Sequence, residues 1–245
     1  EELPYFILGN GSNLLVSDKG YRGVIIQLYR NFSNISVEGN EICASSGALL
    51  SQIAAAARNA SLTGFEFAGG IPGTLGGAVF MNAGAYGGEL KDVLKEAVVM
   101  TEQGEILTLP VEKLDMGYRT SRIKKAGYLV LEARLVLEQG DMDKIRDITK
   151  DLTEKRVSKQ PLEYPSAGSV FKRPVGYFAG TMIEQCGLKG KTVGGAMVSP
   201  KHAGFIVNTG DATCQDVLDL ISLIQTTVNE QTGIMLECEI RAIGG

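Results

Sequence analysis

Short apolar runs separated by turn-forming residues dominate the first half of the chain and predict short strands. The predicted strands comprise residues 5–8, 14–16, 24–28 and 128–137, with hairpins at 35–44 and 94–109. Both hairpins are predicted because the run is interrupted by a dipeptide typical of tight turns, Gly39-Asn40 in one and Gln103-Gly104 in the other. These segments are therefore predicted to form β-sheet.

Helices are predicted in four segments, three of them from the helical spacing of apolar residues. Residues 49–60 are rich in alanine, with Leu49, Ile53 and Ala56 at helical spacing, and residues 74–83 predict a short helix. Residues 141–159 form a charged helix, and together with Pro161 they indicate a domain boundary. The strongest pattern, 213–231, has Thr213 to cap its start and Gly233 to end it. Its apolar stripe is Val217, Leu220, Ile221, Ile224 and Val228.

The last third of the chain also predicts strands near Val170, at 192–198, at 205–207 and at 235–243. In the final strand, alternation places Leu236, Cys238, Ile240 and Ala242 on one face and Glu237, Glu239 and Arg241 on the other.

Composition narrows the class of protein. The chain has 245 residues and a formal charge of −4, which argues against a nucleic-acid partner. It contains no apolar run of the roughly 18 residues that a membrane span needs. One His and four Cys without a C-x-x-C pair predict no metal site, and the cysteines are expected to be reduced. The 31 glycines exceed the usual share of about 7%, which indicates turns or backbone that approaches a ligand.

Glycine is concentrated in two segments, residues 9–13 (Gly-Asn-Gly-Ser-Asn) and residues 69–77, which continue to 82–85. Taken alone, the first is most simply a tight turn, and it lacks the third glycine of a dinucleotide-binding fingerprint because Leu14 occupies that position. The second holds so many glycines that a ligand loop is the better interpretation, since successive backbone N–H groups bind anions.

These segments, in order, resemble the UDP-N-acetylenolpyruvoylglucosamine reductase family. The resemblance covers nearly the whole chain. It includes residues 8–14, 69–87, Gly117-Tyr118-Arg119-Thr120-Ser121, Lys159-Gln160-Pro161, 166–174, Lys201-His202-Ala203-Gly204-Phe205 and Glu239-Ile240-Arg241. Each piece is weak alone, whereas their order and spacing together are specific.

The resemblance implies an α+β fold with a two-part FAD-binding region of the vanillyl-alcohol-oxidase (PCMH) type and a smaller α+β substrate-binding domain. Residues 1–29 would be the remainder of the first FAD-binding subdomain, joined by the C-terminal strand 235–245, and its N-terminal part is expected to precede the sequence. Residues 30–140 would be the second subdomain and 141–234 the substrate-binding domain. The short segment after Arg119 resembles the subclass without an inserted Tyr-bearing loop.

The resemblance also implies an activity, in which NADPH reduces FAD and UDP-N-acetylglucosamine enolpyruvate is then reduced to UDP-N-acetylmuramate for bacterial peptidoglycan. The implied partner is the nucleotide-sugar substrate. The protein is expected to be cytoplasmic and monomeric, without nucleic-acid or membrane partners. Two alternatives stay open: another flavin oxidase of the same fold, or a flavin-free, inactive module that binds nucleotide sugars.

Site residues follow from the family motifs. The implied cofactor-binding residues are Gly9, Asn10, Gly11, Ser12, Asn13, Leu14, Ile71, Pro72, Gly73, Thr74, Gly76, Gly77, Asn82, Ala83, Gly84 and Ala85. The implied catalytic residues are Arg119, Ser169 and Glu239, and the implied substrate-binding residues are Tyr118, Lys159, Arg173 and His202.

Each implied role has a plainer alternative when the residue is considered by itself. Ser169 would be a turn serine, Arg119 a surface arginine in a basic run, and Glu239 an exposed strand residue paired with Arg241. Lys159 would be a solvated residue at a helix end. A lone histidine such as His202 is more often a structural group than a ligand-binding one.

Overall fold

The computed structural model describes residues 3–245, and its regular elements are short except for two long helices. The strands are β1 Tyr5–Leu8, β2 Leu14–Val16, β3 Val24–Gln27, β4 Ile35–Glu38, β5 Glu41–Ser45, β6 Leu62–Thr63, β7 Gly84–Ala85, β8 Gly88–Glu89, β9 Leu94–Met100, β10 Ile106–Pro110, β11 Leu129–Val136, β12 Glu138–Gln139, β13 Ser166–Ser169, β14 Thr192–Val193, β15 Ala196–Val198, β16 Phe205–Asn208 and β17 Arg241–Ile243. The α-helices are α1 Leu50–Asn59, α2 Leu75–Met81, α3 Arg122–Ala126, α4 Met142–Lys159, α5 Ala179–Gln185 and α6 Cys214–Thr232.

The chain divides into two compact units. The first, here called the sheet unit, comprises Tyr5–Gly11 and Ile25–Arg156. The second, here called the C-terminal unit, comprises Ser12–Val24 and Val157–Gly245, together with residues 3–4. The division crosses the Gly-rich segment at residues 9–13 and falls near the end of α4.

The sheet unit is built on a five-stranded antiparallel sheet in the order β10-β9-β11-β5-β4. Buried and exposed side chains do not alternate regularly along β11, where Val130 and Ala133 are both buried although three positions apart. The reason is that the register of β11 with β9 shifts between these residues. Helix α1 buries Leu50, Ile53 and Ala57, so its inward face is displaced by one residue from the predicted positions Leu49 and Ala56. Leu49 instead precedes the helix, where its backbone is extended.

The C-terminal unit has a four-stranded antiparallel sheet in the order β13-β16-β15-β14, with helices α5 and α6 packed in its core. Thr213 accepts a hydrogen bond from the backbone of Asp216, and the Asp216 carboxylate accepts one from the Thr213 N–H, which completes a capping box. Gly233 ends α6 with φ +73°. The predicted cap, apolar stripe and end of this helix are therefore confirmed.

Two predicted strands of this unit are wrong in extent. Residues 192–198 form a hairpin of β14 and β15 instead of one strand, because Gly194 has φ +50° and turns the chain. Of residues 235–243, only Arg241–Ile243 is strand, and it pairs in parallel with β2. Leu236 is fully buried, whereas Ala242, which was predicted to share its face, is exposed.

Candidate active site

The two Gly-rich loops meet within the sheet unit. Asn10 Nδ2 donates a hydrogen bond to the carbonyl oxygen of Pro72 across 2.7 Å. A Cβ atom on Gly9 would collide with the hydroxyl of Thr74, so only glycine permits this approach. Gly11 has φ +70°, which also favours glycine. Two glycine-containing loops that approach this closely, with the backbone of Gly9 against the Thr74 hydroxyl, make a cradle that fits a diphosphate-bearing cofactor such as FAD.

The second loop, residues 71–77, is fixed against the central sheet. Gly76 donates its N–H to the Ser46 carbonyl oxygen across 2.8 Å, and a Cβ atom at Gly76 would overlap the Ser46 side chain. Thr74 is buried and precedes α2, but its side chain makes no capping hydrogen bond. Thr74 therefore does not cap this helix, although its residue type is a common cap, and its hydroxyl is turned toward Gly9 instead.

The turn at residues 82–85 is held by one buried amide. Asn82 is wholly buried with φ +44°, and its Nδ2 donates to Glu89 Oε2 at 3.0 Å and to the Gly117 carbonyl oxygen at 3.1 Å. Its Oδ1 accepts from the Lys91 backbone N–H at 3.0 Å. All three bonds fix the amide orientation, which anchors Ala83, Gly84 and Ala85 in and beside the β7–β8 hairpin.

Arg119 lies in a tight turn before α3. Its φ is +56°, and the backbone N–H groups of Gly117 and Thr120 each donate to the other residue's carbonyl oxygen. The Arg119 Nη2 is 3.4 Å from the Gly84 carbonyl oxygen, and the guanidinium lies 4.9 Å from the ring centre of Tyr118. Arg119 and Tyr118 are thus brought together with the 82–85 turn.

Ser12, Asn13 and Leu14 belong to the C-terminal unit, where β2 pairs with β17. Asn13 Nδ2 donates to the Glu239 carbonyl oxygen at 3.2 Å, and the Asn13 carbonyl oxygen accepts from Arg241 N–H at 3.1 Å. The structure therefore joins part of the predicted cofactor loop directly to the segment that carries Glu239.

Ser169 ends β13 and lies next to the same C-terminal segment. Glu239 N–H donates to the Val170 carbonyl oxygen at 2.7 Å, and Lys172 N–H donates to the Glu237 carbonyl oxygen at 2.8 Å. Ser169 is exposed, and Glu239 is partly buried rather than the exposed strand residue that alternation would give. Two predicted catalytic residues are therefore on adjacent segments.

Lys159 and Arg173 are both exposed residues of the C-terminal unit. Lys159 is the last residue of α4. The Arg173 guanidinium lies over the Phe178 ring, 4.5 Å from its centre. A cation over an aromatic face is held by the ring quadrupole, which restricts the positions that the guanidinium adopts.

His202 is held firmly within the C-terminal unit. Its Nδ1 accepts a hydrogen bond from Gly204 N–H at 3.1 Å, and its ring meets that of Phe205 edge to face at 5.0 Å. Burial lowers the pKa of His202 below its ordinary value of 6.5, and the nearby Lys189 lowers it further. The imidazole is therefore neutral at pH 7, with its proton on Nε2 because Nδ1 is an acceptor.

Sequence reasoning gave no role to two polar residues beside Arg119. Ser121 is fully buried, donates its hydroxyl to the Phe80 carbonyl oxygen at 2.8 Å and caps α3 by accepting from Lys124 N–H. Glu89 bonds Asn82 as described above. Ser121 lies in the family motif 117–121, whereas Glu89 lies just beyond the motif 69–87, so nothing in the sequence pointed to it.

Residues 3–245 contain no group of three or more His, Cys, Asp and Glu side chains that could hold a metal ion. Over the same residues, no helix combines the length and apolar composition that crossing a bilayer requires.

Comparison with known proteins adds independent evidence. Residues 1–110 match the model of an FAD binding domain, and residues 160–243 match that of the UDP-N-acetylenolpyruvoylglucosamine reductase C-terminal domain. The chain is 57% identical over 243 residues to the UDP-N-acetylenolpyruvoylglucosamine reductase of Alkaliphilus oremlandii, covering 99% of this chain and 80% of the relative. It is 51% identical over 244 residues to that of Clostridioides difficile, covering 100% of this chain and 80% of the relative.

A solved structure is also similar. The crystal structure of UDP-N-acetylenolpyruvylglucosamine reductase from Thermus caldophilus superposes with a TM-score of 0.86 at 37% identity, covering 99% of this chain and 86% of that one. These matches confirm the predicted family resemblance and the α+β fold with an FAD-binding region.

Proposed function

The chain belongs to the UDP-N-acetylenolpyruvoylglucosamine reductase family, and we propose how its residues carry out the reaction of that family. It is an FAD-containing oxidoreductase. The reaction is the NADPH-dependent reduction of UDP-N-acetylglucosamine enolpyruvate to UDP-N-acetylmuramate, a step of bacterial peptidoglycan precursor synthesis. The observation that carries the proposal is the family match over nearly the whole chain, together with the adjacency of the Ser169 and Glu239 segments.

We propose that FAD is bound by Gly9, Asn10, Gly11, Ser12, Asn13, Leu14, Ile71, Pro72, Gly73, Thr74, Gly76, Gly77 and the turn at residues 82–85. Bound FAD supplies the acceptance of hydride from NADPH and its transfer to the enol ether of the substrate. The protein's task is to bring backbone N–H groups close to the diphosphate, and the close approach of Gly9 to Thr74 supports this role.

Ser169 is proposed to donate its hydroxyl proton to C2 of the substrate, so that the O–H bond breaks as a C–H bond forms. A serine hydroxyl is a weak acid, and its proton is withdrawn only by a strongly basic carbon placed against it. Arg119 is proposed to bind the substrate carboxylate with its planar guanidinium and to stabilise the negative charge that develops there. Glu239 is proposed to polarise or protonate the same carboxylate.

The substrate's remaining charges call for further cations. We propose that Lys159 contacts the diphosphate as a mobile point charge and that Arg173, oriented by Phe178, binds diphosphate or carboxylate oxygens with its fork. Tyr118 is proposed to contact the substrate beside Arg119. His202 is proposed to line the substrate or nicotinamide pocket as a neutral hydrogen-bonding group.

The proposal also covers the domain organisation of the protein, its location and oligomeric state, and its partners. We propose that residues 1–29 with 235–245, residues 30–140 and residues 141–234 act as two FAD-binding subdomains and a substrate-binding domain. The protein is proposed to be a cytoplasmic monomer, as the family resemblance implies. The net charge of −4 supports the absence of a nucleic-acid partner.

The proposal is tested by product analysis. Protein expressed from its complete gene, supplied with FAD, is incubated with NADPH and the enolpyruvyl nucleotide sugar, and products are identified by mass spectrometry. We expect a product two hydrogen atoms heavier, formed in equal amount to the NADPH consumed. NADPH consumption that requires oxygen and leaves the nucleotide sugar unchanged would replace this function with that of a flavin oxidase.

A further inference from the structure

Arg119 occupies a backbone conformation that its residue type rarely adopts. With φ +56°, it lies in the left-handed region, which costs free energy for a residue with a long side chain. Such a conformation persists only when surrounding contacts hold it, and it is common where a side chain must be aimed. The contacts that hold this turn are therefore part of how the guanidinium is positioned.

Two of those contacts come from the 82–85 turn. Asn82 Nδ2 donates to the Gly117 carbonyl oxygen at 3.1 Å, at the start of the Arg119 turn. The Gly84 carbonyl oxygen lies 3.4 Å from Arg119 Nη2, at the far end of the side chain. The first contact holds the backbone of the turn and the second is made to the guanidinium. The 82–85 turn therefore holds both the backbone and the side-chain end of Arg119.

Glu89 is connected to both contacts. Its Oε2 accepts the second hydrogen of Asn82 Nδ2 at 3.0 Å, which leaves the first hydrogen aimed at Gly117. Its backbone is paired with Gly84 in the β7–β8 hairpin. A Cβ atom on Gly84 would lie 2.6 Å from the Gly88 carbonyl oxygen and 2.9 Å from Glu89 Cγ, so this packing leaves no room for a side chain.

The charge of Glu89 contributes as well. A hydrogen bond from Lys91 lowers the pKa of Glu89, and so do the Asn82 bond and the positive charge of Arg119, so the carboxylate is ionised at neutral pH. A bond from a buried amide to a carboxylate is shorter and stronger than one to a neutral acceptor. The negative charge also attracts the guanidinium toward the hairpin.

We infer that Glu89 is a positioning residue for Arg119, acting through Asn82 on the Arg119 turn and through the β7–β8 hairpin on the guanidinium. This inference rests on the proposed function, in which Arg119 binds the substrate carboxylate. Glu89 itself touches neither substrate nor cofactor in this account.

A double-mutant cycle tests the inference in the FAD-loaded protein. The variants are Glu89→Gln, Arg119→Ala and both together, and stopped-flow absorbance follows flavin reduction by NADPH and reoxidation by substrate separately. We expect Glu89→Gln to slow reoxidation by about tenfold, since misplacing a reacting group by about 1 Å costs up to about 10²-fold. Reduction by NADPH should stay near the unsubstituted rate. In the Arg119→Ala background, Glu89→Gln should have no further effect.

Lys91→Ala is the matched control. It removes the ion pair to Glu89, in which Nζ and Oε2 are 2.8 Å apart, but keeps the backbone N–H that bonds Asn82. We expect it to leave both half-reactions unchanged, because the Glu89 carboxylate is ionised at neutral pH even at its ordinary pKa of 4.5 and keeps its bond to Asn82. The ion pair itself contributes little, since the Lys91 side chain is exposed. If Lys91→Ala slowed reoxidation as much as Glu89→Gln, the effect would belong to the surface pair and the inference would be overturned.

Calorimetric binding of UDP-N-acetylmuramate gives a readout independent of turnover. Glu89→Gln should weaken binding when Arg119 is present and not when it is replaced by Ala. Glu89→Asp keeps the charge with a shorter reach and serves the same cycle if the Gln variant does not fold. If the effects of Glu89→Gln and Arg119→Ala are additive, or if Glu89→Gln slows both half-reactions equally, the positioning role of Glu89 is overturned and the proposed role of Arg119 stands. If Arg119→Ala leaves reoxidation intact, the proposed role of Arg119 fails, and the inference fails with it.

Discussion

The backbone N–H of Glu239 donates to the carbonyl oxygen of Val170 across 2.7 Å. An isolated bridge between Phe171 and Cys238 continues this antiparallel contact. Ser169 precedes Val170, so two proposed catalytic residues are held on neighbouring backbone segments that are 70 residues apart along the chain. The contact gives the proposed proton donor and the proposed acidic residue a shared, fixed support within the C-terminal unit.

Replacing Ser169 with Ala should separate the two half-reactions. We expect reduction of the flavin by NADPH to continue, whereas reoxidation by the enolpyruvyl substrate slows by at least about 10²-fold, the usual contribution of general acid catalysis. Stopped-flow absorbance measures both rates. An equal loss in both half-reactions would argue against a proton-donor role.

Replacing Arg119 with Lys keeps the charge but removes the planar fork. We expect reoxidation by substrate to slow by about 10²-fold, the usual effect of removing one donor that stabilises developing charge. The conformation at φ +56° is no easier for lysine, so turn strain is unchanged. Turnover near that of the unsubstituted protein would contradict the carboxylate-binding role.

Gly9→Ala tests the contact between the two Gly-rich loops. Its Cβ would collide with the Thr74 hydroxyl, so we expect less bound FAD and a lower melting temperature. Thr74→Ala removes that hydroxyl, and Gly9→Ala combined with Thr74→Ala should recover part of the loss, since the remaining Thr74 Cβ is 3.5 Å away. Flavin content and thermal unfolding are the readouts. No recovery in the double variant would mean that the collision is not the cause.

His202 provides a pH-dependent prediction. Burial lowers its pKa below 6.5 in the folded protein. The unfolded chain therefore takes up this proton at higher pH, and the free energy of unfolding should fall as the pH decreases below about 6.5. The loss should level off once the pH is below the folded pKa. Since His202 is the only histidine in the sequence, its NMR resonance reports the folded pKa directly.

A titration midpoint below 6.5 is the expected NMR result. His202→Gln should remove the part of the stability loss that occurs below that pH, without changing the loss caused by carboxylates at lower pH. A midpoint at or above 6.5 would contradict the assignment of a half-buried, neutral imidazole.

Thr213→Ala tests the cap of α6. Its hydroxyl accepts from Asp216 N–H at 3.1 Å, and losing a cap of this kind costs about 1 kcal/mol. Chemical denaturation should report that decrease, whereas Thr192→Ala, at an exposed position of the short strand β14, provides a control with a smaller effect. Equal effects would show that the cap contributes nothing specific.

Local patterns in the sequence predicted most elements but not their long-range partners. The periodicity of 213–231 specified the helix, its cap and its end, because those features depend on residues within a few positions. The segment 235–243 was wrong in extent because its contacts, with β2 and with residues 170–172, depend on distant parts of the chain. The hairpin at Gly194 was missed although Gly194-Gly195 is a dipeptide typical of tight turns, because β14 has only two residues and is too short to show alternation.

The candidate site shows the same difference between local patterns, which the sequence reveals, and long-range contacts, which it does not. Family motifs indicated which residues to consider, including Arg119 and Asn82. The left-handed conformation of Arg119 and its support by Glu89 follow only from the folded backbone, since Asn82 and Gly117 are 35 residues apart. The hydroxyl of Thr74 lies beside Gly9 and does not cap α2, which no local pattern could reveal.

The central claim is tested most directly by an anaerobic visible spectrum of the FAD-loaded protein, expressed from its complete gene and titrated with NADPH and then with the enolpyruvyl nucleotide sugar. The account predicts flavin absorbance that bleaches with NADPH and returns in proportion to the nucleotide sugar added. Absorbance that bleaches but returns only when oxygen is admitted, or protein that takes up no FAD, would contradict it.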